Sequence, residues 1–169
     1  TSCISPLGFT VQKNWDALLA GQSGLKLQDV GAVKQVPAGS IDAAALDLQF
    51  QELGLQGTFT KLEKMMLLAA MPLVKKYQPT ARTAFVLSTT KGNIHALAQG
   101  LPAESLLTNL GHKLQQHLGI PNVPIVLSHG CVSGVLAVSV AKRLIQMGSY
   151  DNALVLAGDA LSEFVVSGF

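Results

Sequence analysis

The segment Val123–Ala141 constrains the fold of this chain more than any other. It carries no formally charged residue at neutral pH when His129 is neutral, and such a run can be hidden only in a membrane or in a protein interior. It is long enough to span a bilayer. However, Pro124 stands at its start, and Ser128, His129 and Gly130 interrupt it. The first part is β-branched and the second is not, which predicts a buried strand, a tight turn and a buried helix rather than a transmembrane span. From Val135 to Ala141 the helix shows no polar face, so it is expected to be enclosed on every side. The small residues Ser133, Gly134, Ala137, Ser139 and Ala141 predict close packing of this helix against a second one.

The rest of the chain fits around that unit. Ser5-Pro6-Leu7-Gly8 predicts a turn, and Asn14 is a candidate N-cap for a helix from Trp15 to Ala20 that Gly21 ends. Gln22 to Ser40 shows little periodicity and is expected to be a loop. Ile41 to Leu53 has helical spacing, with Gly54 as its stop. Thr60 and Glu63 have the spacing of a capping box and open a helix from Lys61 to Tyr77, which Pro72 should kink or divide. Thr83–Leu87, Pro124–Leu127 and Ala153–Ala157 predict strands. A helix is expected from Pro102 to Leu118 and another from Cys131 to Met147, with Gly148 as its stop. Strands that alternate with helices, the later ones apolar on both faces, predict an α/β domain with a mostly parallel, covered sheet.

Composition excludes several functions. The net charge is +2 with no basic run, and aromatic residues make up 5%, which argues against nucleic-acid binding. Hydrophobic residues make up 49% and charged residues 13%, so much of the surface should be buried against a partner or a further domain. Cys3 and Cys131 do not make a disulfide framework, and the absence of C-x-x-C argues against zinc. No cofactor or metal is expected, and a reducing, cytoplasmic setting fits best. No signal peptide is visible, and the absence of an initiator Met leads us to expect a fragment or a processed chain.

The candidate chemistry lies in Ser128-His129-Gly130-Cys131-Val132-Ser133-Gly134. A cysteine at a helix N-terminus faces unpaired N–H groups and the positive end of the helix dipole, which favour the thiolate and can hold an oxyanion. The plain alternative is a buried structural cysteine. The flanking residues do not form a G-x-S-x-G elbow. His129 could share a side with Cys131 and form a local dyad. His95, His112 and His117 read as ordinary polar residues, the last two not at i, i+4 metal spacing. Ser88, Thr89 and Thr90 either line a pocket or satisfy loop backbone groups. Lys91-Gly92 lacks P-loop spacing.

That turn resembles the active-site turn T-A-C-x-S-G of β-ketoacyl synthases of the thiolase superfamily. Ser5-Pro6-Leu7-Gly8 followed by Trp15 to Gly24 is similar to the family's S-P-x-G and W-x-x-L-x-x-G-x-S-G. Ala141 to Gly158 resembles the stretch that leads to Ala-Gly-Gly, and Gly168-Phe169 resembles the family's G-F. The departures are His129-Gly130 for T-A, Asp159 for the second Gly, and a Ser88–Asn93 loop without the G-x-G-x-x-G form.

The resemblance implies a thiolase-like α/β fold in which residues 1–169 form the N-terminal half and the nucleophile helix is buried. It implies that Cys131 accepts an acyl group from an acyl carrier protein or coenzyme A thioester before decarboxylative condensation, and that Phe169 borders the acyl tunnel. The family's remaining catalytic groups lie in its second half, so residues 1–169 alone are expected to be inactive. A homodimer or a ketosynthase-like heterodimer is expected, with no nucleic-acid or membrane partner. Two alternatives stand beside the enzyme: a non-catalytic subunit of chain-length-factor type, against which the retained Cys131 argues, and an α/β binding module with a structural cysteine.

Overall fold

The computed structural model describes residues 1–168. The chain forms two compact units, one from Thr1–Leu73 together with the residues from Ala160 onward, the other from Val74–Asp159.

The first unit begins with the expected turn, closed by reciprocal bonds of 3.0 Å between the Ser5 and Gly8 backbones. Helix α1, Val11–Leu19, starts earlier than its sequence suggests, because Thr10 rather than Asn14 caps it by accepting from the Lys13 N–H. Asn14 is buried within the helix. Its amide donates to the Gly8 and Thr10 carbonyls and its oxygen accepts from the Ser5 hydroxyl, so it braces the turn against the helix.

The region expected to be a loop is a hairpin. Strand β1, Lys26–Val30, pairs antiparallel with β2, Val33–Ala38, with a register shift between Gln28 and Val30. Asp29 steadies the tip: the Gln35 backbone N–H, the Lys34 ammonium and the Gln35 side chain hold its carboxyl below the ordinary range. Helix α2, Ala43–Gln51, is capped by Asp42, which accepts from the Ala45 N–H at 2.8 Å. The Phe50 ring meets Phe59 edge-on at 4.9 Å.

Helix α3, Lys61–Tyr77, opens on the expected capping box. The Thr60 N–H donates to Glu63 Oε2 at 2.8 Å, and the Glu63 N–H donates to Thr60 Oγ1 at 3.2 Å. The helix runs through Pro72 without being divided.

The second unit holds a parallel sheet in the order β4-β3-β5, made of β3 (Thr83–Ser88), β4 (Ile125–Leu127) and β5 (Asn152–Ala157). The central strand is buried at every position, which accounts for the apolar and β-branched run from Thr83 to Leu87. The single helix expected from Pro102 is broken. Helix α4 is His95–Ala98 and α5 is Pro102–Ser105; Leu106 is extended, and α6 covers Leu107–Leu118. α6 buries Leu110, Gly111, Leu114 and Leu118. It lies so close to β4 that a Cβ on Gly111 would stand 3.0 Å from Pro124 Cγ and 3.1 Å from Val126 Cγ2.

The segment expected to form one helix from Cys131 divides into a 3₁₀ turn, Gly130–Val132, and helix α7, Ser133–Gln146. α7 buries only Ser133, Ala137 and Ala141, one stripe at helical spacing. Ala137 and Ala141 pack on Val86, with Ile125, Leu127, Ala153 and Val155 around them. The small residues therefore seat the helix on the sheet, not on a second helix. Val135 and Val138 point outward, 75% and 59% exposed. This overturns the expectation of a nucleophile helix buried on every side. An apolar sequence says that a face should be covered, but covering α7 takes a layer on each side, and in this chain the sheet supplies one. No helix among the described residues is long and apolar enough to cross a membrane.

Candidate functional site

In open α/β sheets, ligands gather at the carboxyl ends of the strands. Here β3, β4 and β5 run parallel and end at Ser88, Leu127 and Ala157, which brings three polar segments together: Ser88–Asn93, Ser128–Ser133 and Gly158-Asp159. Further main-chain bonds continue the sheet, from the Thr89 N–H to the Leu127 carbonyl at 3.2 Å and from the Gly158 N–H to the Ser88 carbonyl at 3.1 Å.

The Cys131 turn is built by its neighbours. Ser133 Oγ accepts from the His129 N–H and donates to the Gly130 carbonyl, both at 2.7 Å, and the Val132 N–H donates to the His129 carbonyl at 3.3 Å. Gly130 takes the sharp bend, at φ +52°, and Cys131 itself stays out of the left-handed region. A strained elbow places the bend on the nucleophile and pushes its side chain into a pocket; here the glycine absorbs it. Cys131 is exposed, as is Cys3. His129 is also exposed. Among the described residues, no hydrogen bond joins its ring to Cys131, so the possible dyad does not form. Phe169, assigned to the acyl tunnel by resemblance, lies outside the described residues.

The dense polar cluster is next door. Asp159 accepts from four groups of the Ser88–Asn93 loop. Thr89 Oγ1 donates to Oδ1 at 2.6 Å and Thr90 Oγ1 donates to Oδ2 at 2.7 Å. The Thr90 N–H reaches both oxygens, at 2.9 and 3.1 Å, and the Lys91 N–H reaches Oδ1 at 3.2 Å. Thr89 Oγ1 also accepts from the Gly92 N–H at 3.1 Å, and the Ser128 hydroxyl donates to the Thr90 carbonyl at 3.2 Å. Of the two expectations for Ser88–Thr90, the structure supports neither fully: the threonine hydroxyls serve a carboxylate from another strand end. In the sequence Asp159 stands out only as a departure from a glycine. The signal that could have found its role is a Thr-Thr pair after one parallel strand and an Asp after another, and using it requires knowing that β3 and β5 are neighbours. Among the described residues, no group of three or more His, Cys, Asp or Glu is placed to hold a metal ion.

The family model described as 3-oxoacyl-[acyl-carrier-protein (ACP)] synthase III matches residues 127–166, which run from the end of β4 through the Cys131 turn and β5. No curated protein matches the sequence. Among solved structures, a chain of "the ishigamide ketosynthase/chain length factor" is similar over 98% of this chain and 54% of its own length, with a TM-score of 0.77 and 19% identity. A chain of the ketosynthase ApeO in complex with its chain length factor ApeC, from Xenorhabdus doucetiae, is similar over 99% of this chain and 48% of its own, with a TM-score of 0.76 and 22% identity. The chain thus spans about half the length of these structures, and the likeness establishes a thiolase-like α/β fold.

That fold is shared by catalytic ketosynthases and by chain length factors, so chemistry has to be judged at the site. An acyl-accepting thiol works in an enclosed pocket, where oxyanion donors do not compete with water. Cys131 lies on an open turn. The expectation of a 3-oxoacyl synthase-type acyltransferase with Cys131 as its enclosed nucleophile is therefore overturned.

Proposed function

From this thiolase-like fold, we propose that the chain is a ketosynthase-like subunit of the non-catalytic, chain-length-factor type, which pairs with a ketosynthase that carries its own nucleophile. The exposure of Cys131 carries this reading. A thiol in open solvent lacks the water-excluded surroundings that strengthen oxyanion stabilisation and keep a carbanion from being protonated by water. The reading is supported by likeness to structures that contain a chain length factor, one of them described in complex with its ketosynthase. We place residues 1–169 as the N-terminal part of such a subunit and its setting as cytoplasmic. Acyl carrier protein or coenzyme A thioesters would then be recognised by the pair, with the acyl group carried on the partner.

Co-expression with a ketosynthase tests this. The pair should elute as a heterodimer, and Cys131→Ala should leave product formation unchanged. Loss of product with Cys131→Ala, or an acyl adduct on Cys131 by intact mass after incubation with an acyl thioester, would refute the non-catalytic assignment. Iodoacetamide should label Cys131 and Cys3 at similar rates, since both are exposed.

A further inference from the structure

The contacts of Asp159 have the form of a filled anion site. Two successive backbone N–H groups, from Thr90 and Lys91, and two hydroxyls, from Thr89 and Thr90, converge on one carboxylate and use both of its oxygens. Successive backbone N–H groups that point to one spot form a nest, a concavity that binds anions. The loop is held in this shape from behind. Thr89 and Asn93 are buried, the Gly92 N–H is tied to Thr89 Oγ1, and the Thr90 carbonyl accepts from Ser128. The occupant arrives from another strand end, and pairing of Ser88 with Ala157 sets its position. Asp159 is itself exposed, so the spot can be reached from solvent.

We propose that Thr89-Thr90-Lys91 is an oxyanion-binding nest at the carboxyl end of the sheet, kept filled by the chain's own Asp159. The carboxylate acts as an internal plug. It supplies the negative charge that the converging donors require, and it denies the position to a free carboxylate or phosphate. This holds whether or not the subunit is catalytic, because it depends on the loop and β5 alone.

Emptying the nest and refilling it from solution tests the proposal. Amide hydrogen exchange at Thr90 and Lys91 is measured in the full chain, in Asp159→Gly and in Asp159→Asn, with sodium formate or with sodium chloride at equal ionic strength. In Asp159→Gly both amides should exchange faster, on the order of tenfold, as loss of a charge-assisted acceptor implies. Formate, but not chloride, should slow them again, and the unmodified chain should not respond to formate. Asp159→Asn, which keeps one acceptor oxygen, should show a partial loss of protection. Unchanged protection in Asp159→Gly overturns the proposal. So does a failure of formate to restore it, or an equal effect of formate on the unmodified chain. Should Asp159→Gly not fold, Asp159→Asn decides: reduced protection at Thr90 and Lys91 supports the nest, and unchanged protection refutes it.

Discussion

Helix α7 carries no charged residue from Ser133 to Ala141, yet its two faces meet different surroundings there. On one, Ser133, Ala137 and Ala141 lie against the sheet. On the other, Val135 and Val138 stand in solvent. The larger apolar side chains are outside and the smaller ones inside. Hydropathy therefore measures how much covering a segment wants, whereas side-chain size decides which face can approach a sheet closely. The turn before α7 repeats the lesson: Ser133 is enclosed and shapes the turn, and Cys131, two residues earlier, is exposed.

The contrast between the faces can be broken most strongly from the inside. Ala137 is fully buried on Val86, so Ala137→Leu should force the helix off the sheet and cost about 1–3 kcal/mol, seen as a lower midpoint in urea unfolding. Next comes the turn. Gly130 sits at φ +52°, and among the described residues no atom beyond its chain neighbours lies within 4 Å of where a Cβ would stand. Gly130→Ala should thus cost about 1–2 kcal/mol through backbone conformation alone, a figure that thermal melts would check. Ser133→Ala removes the acceptor for the His129 N–H and the donor to the Gly130 carbonyl. A loss of about 1 kcal/mol is expected, with faster hydrogen exchange at the His129 amide.

The outer face should respond little. Val135→Ser should change the stability of this chain by less than about 0.5 kcal/mol. A drop as large as that of Ala137→Leu would mean that the face is covered.

The smallest effect is expected at the far end of α7. There Arg82 donates to the Gly148 carbonyl at 2.9 Å and to Asp151 at 2.7 Å. The hydrogen bond from Arg82 holds the Asp151 carboxyl below its ordinary value of 3.8. The folded state thus binds this proton less readily than the unfolded state. The stabilisation is present above 3.8 and fades as pH falls through the lower folded value. The pair is exposed, so Asp151→Asn should lower the melting temperature only slightly at neutral pH and low salt. The difference should vanish in acid or at high ionic strength.

Much of the fold was legible where local chemistry decides it. The Ser5–Gly8 turn, the Thr60–Glu63 capping box, the three parallel strands and the glycine stops at Gly21, Gly54 and Gly148 follow from short-range signals. The β1–β2 hairpin did not, because its alternation is weak, Pro37 lies within a strand and a register shift interrupts the pairing. The helix from Pro102 was expected as one piece because nothing in Ser105-Leu106-Leu107 marks the extended residue that breaks it.

At the site, the segment that carries Cys131 was located from sequence, as was its strand, turn and helix order. Its burial was not, because enclosure belongs to layers that are distant in sequence. The Asp159 network was missed for the same reason, since it joins residues about 70 positions apart through sheet order.

By itself, the sequence determined the three parallel strands, the Thr60–Glu63 start of α3 and where the turn before α7 falls, because periodicity, capping and turn chemistry act between near neighbours. Only the tertiary structure decided which face of α7 meets the sheet, that Cys131 stands in solvent, and that Asp159 closes over the Thr89–Lys91 loop. Those outcomes depend on which strands lie side by side and on how many layers cover a helix, and neither is encoded in any single stretch of chain.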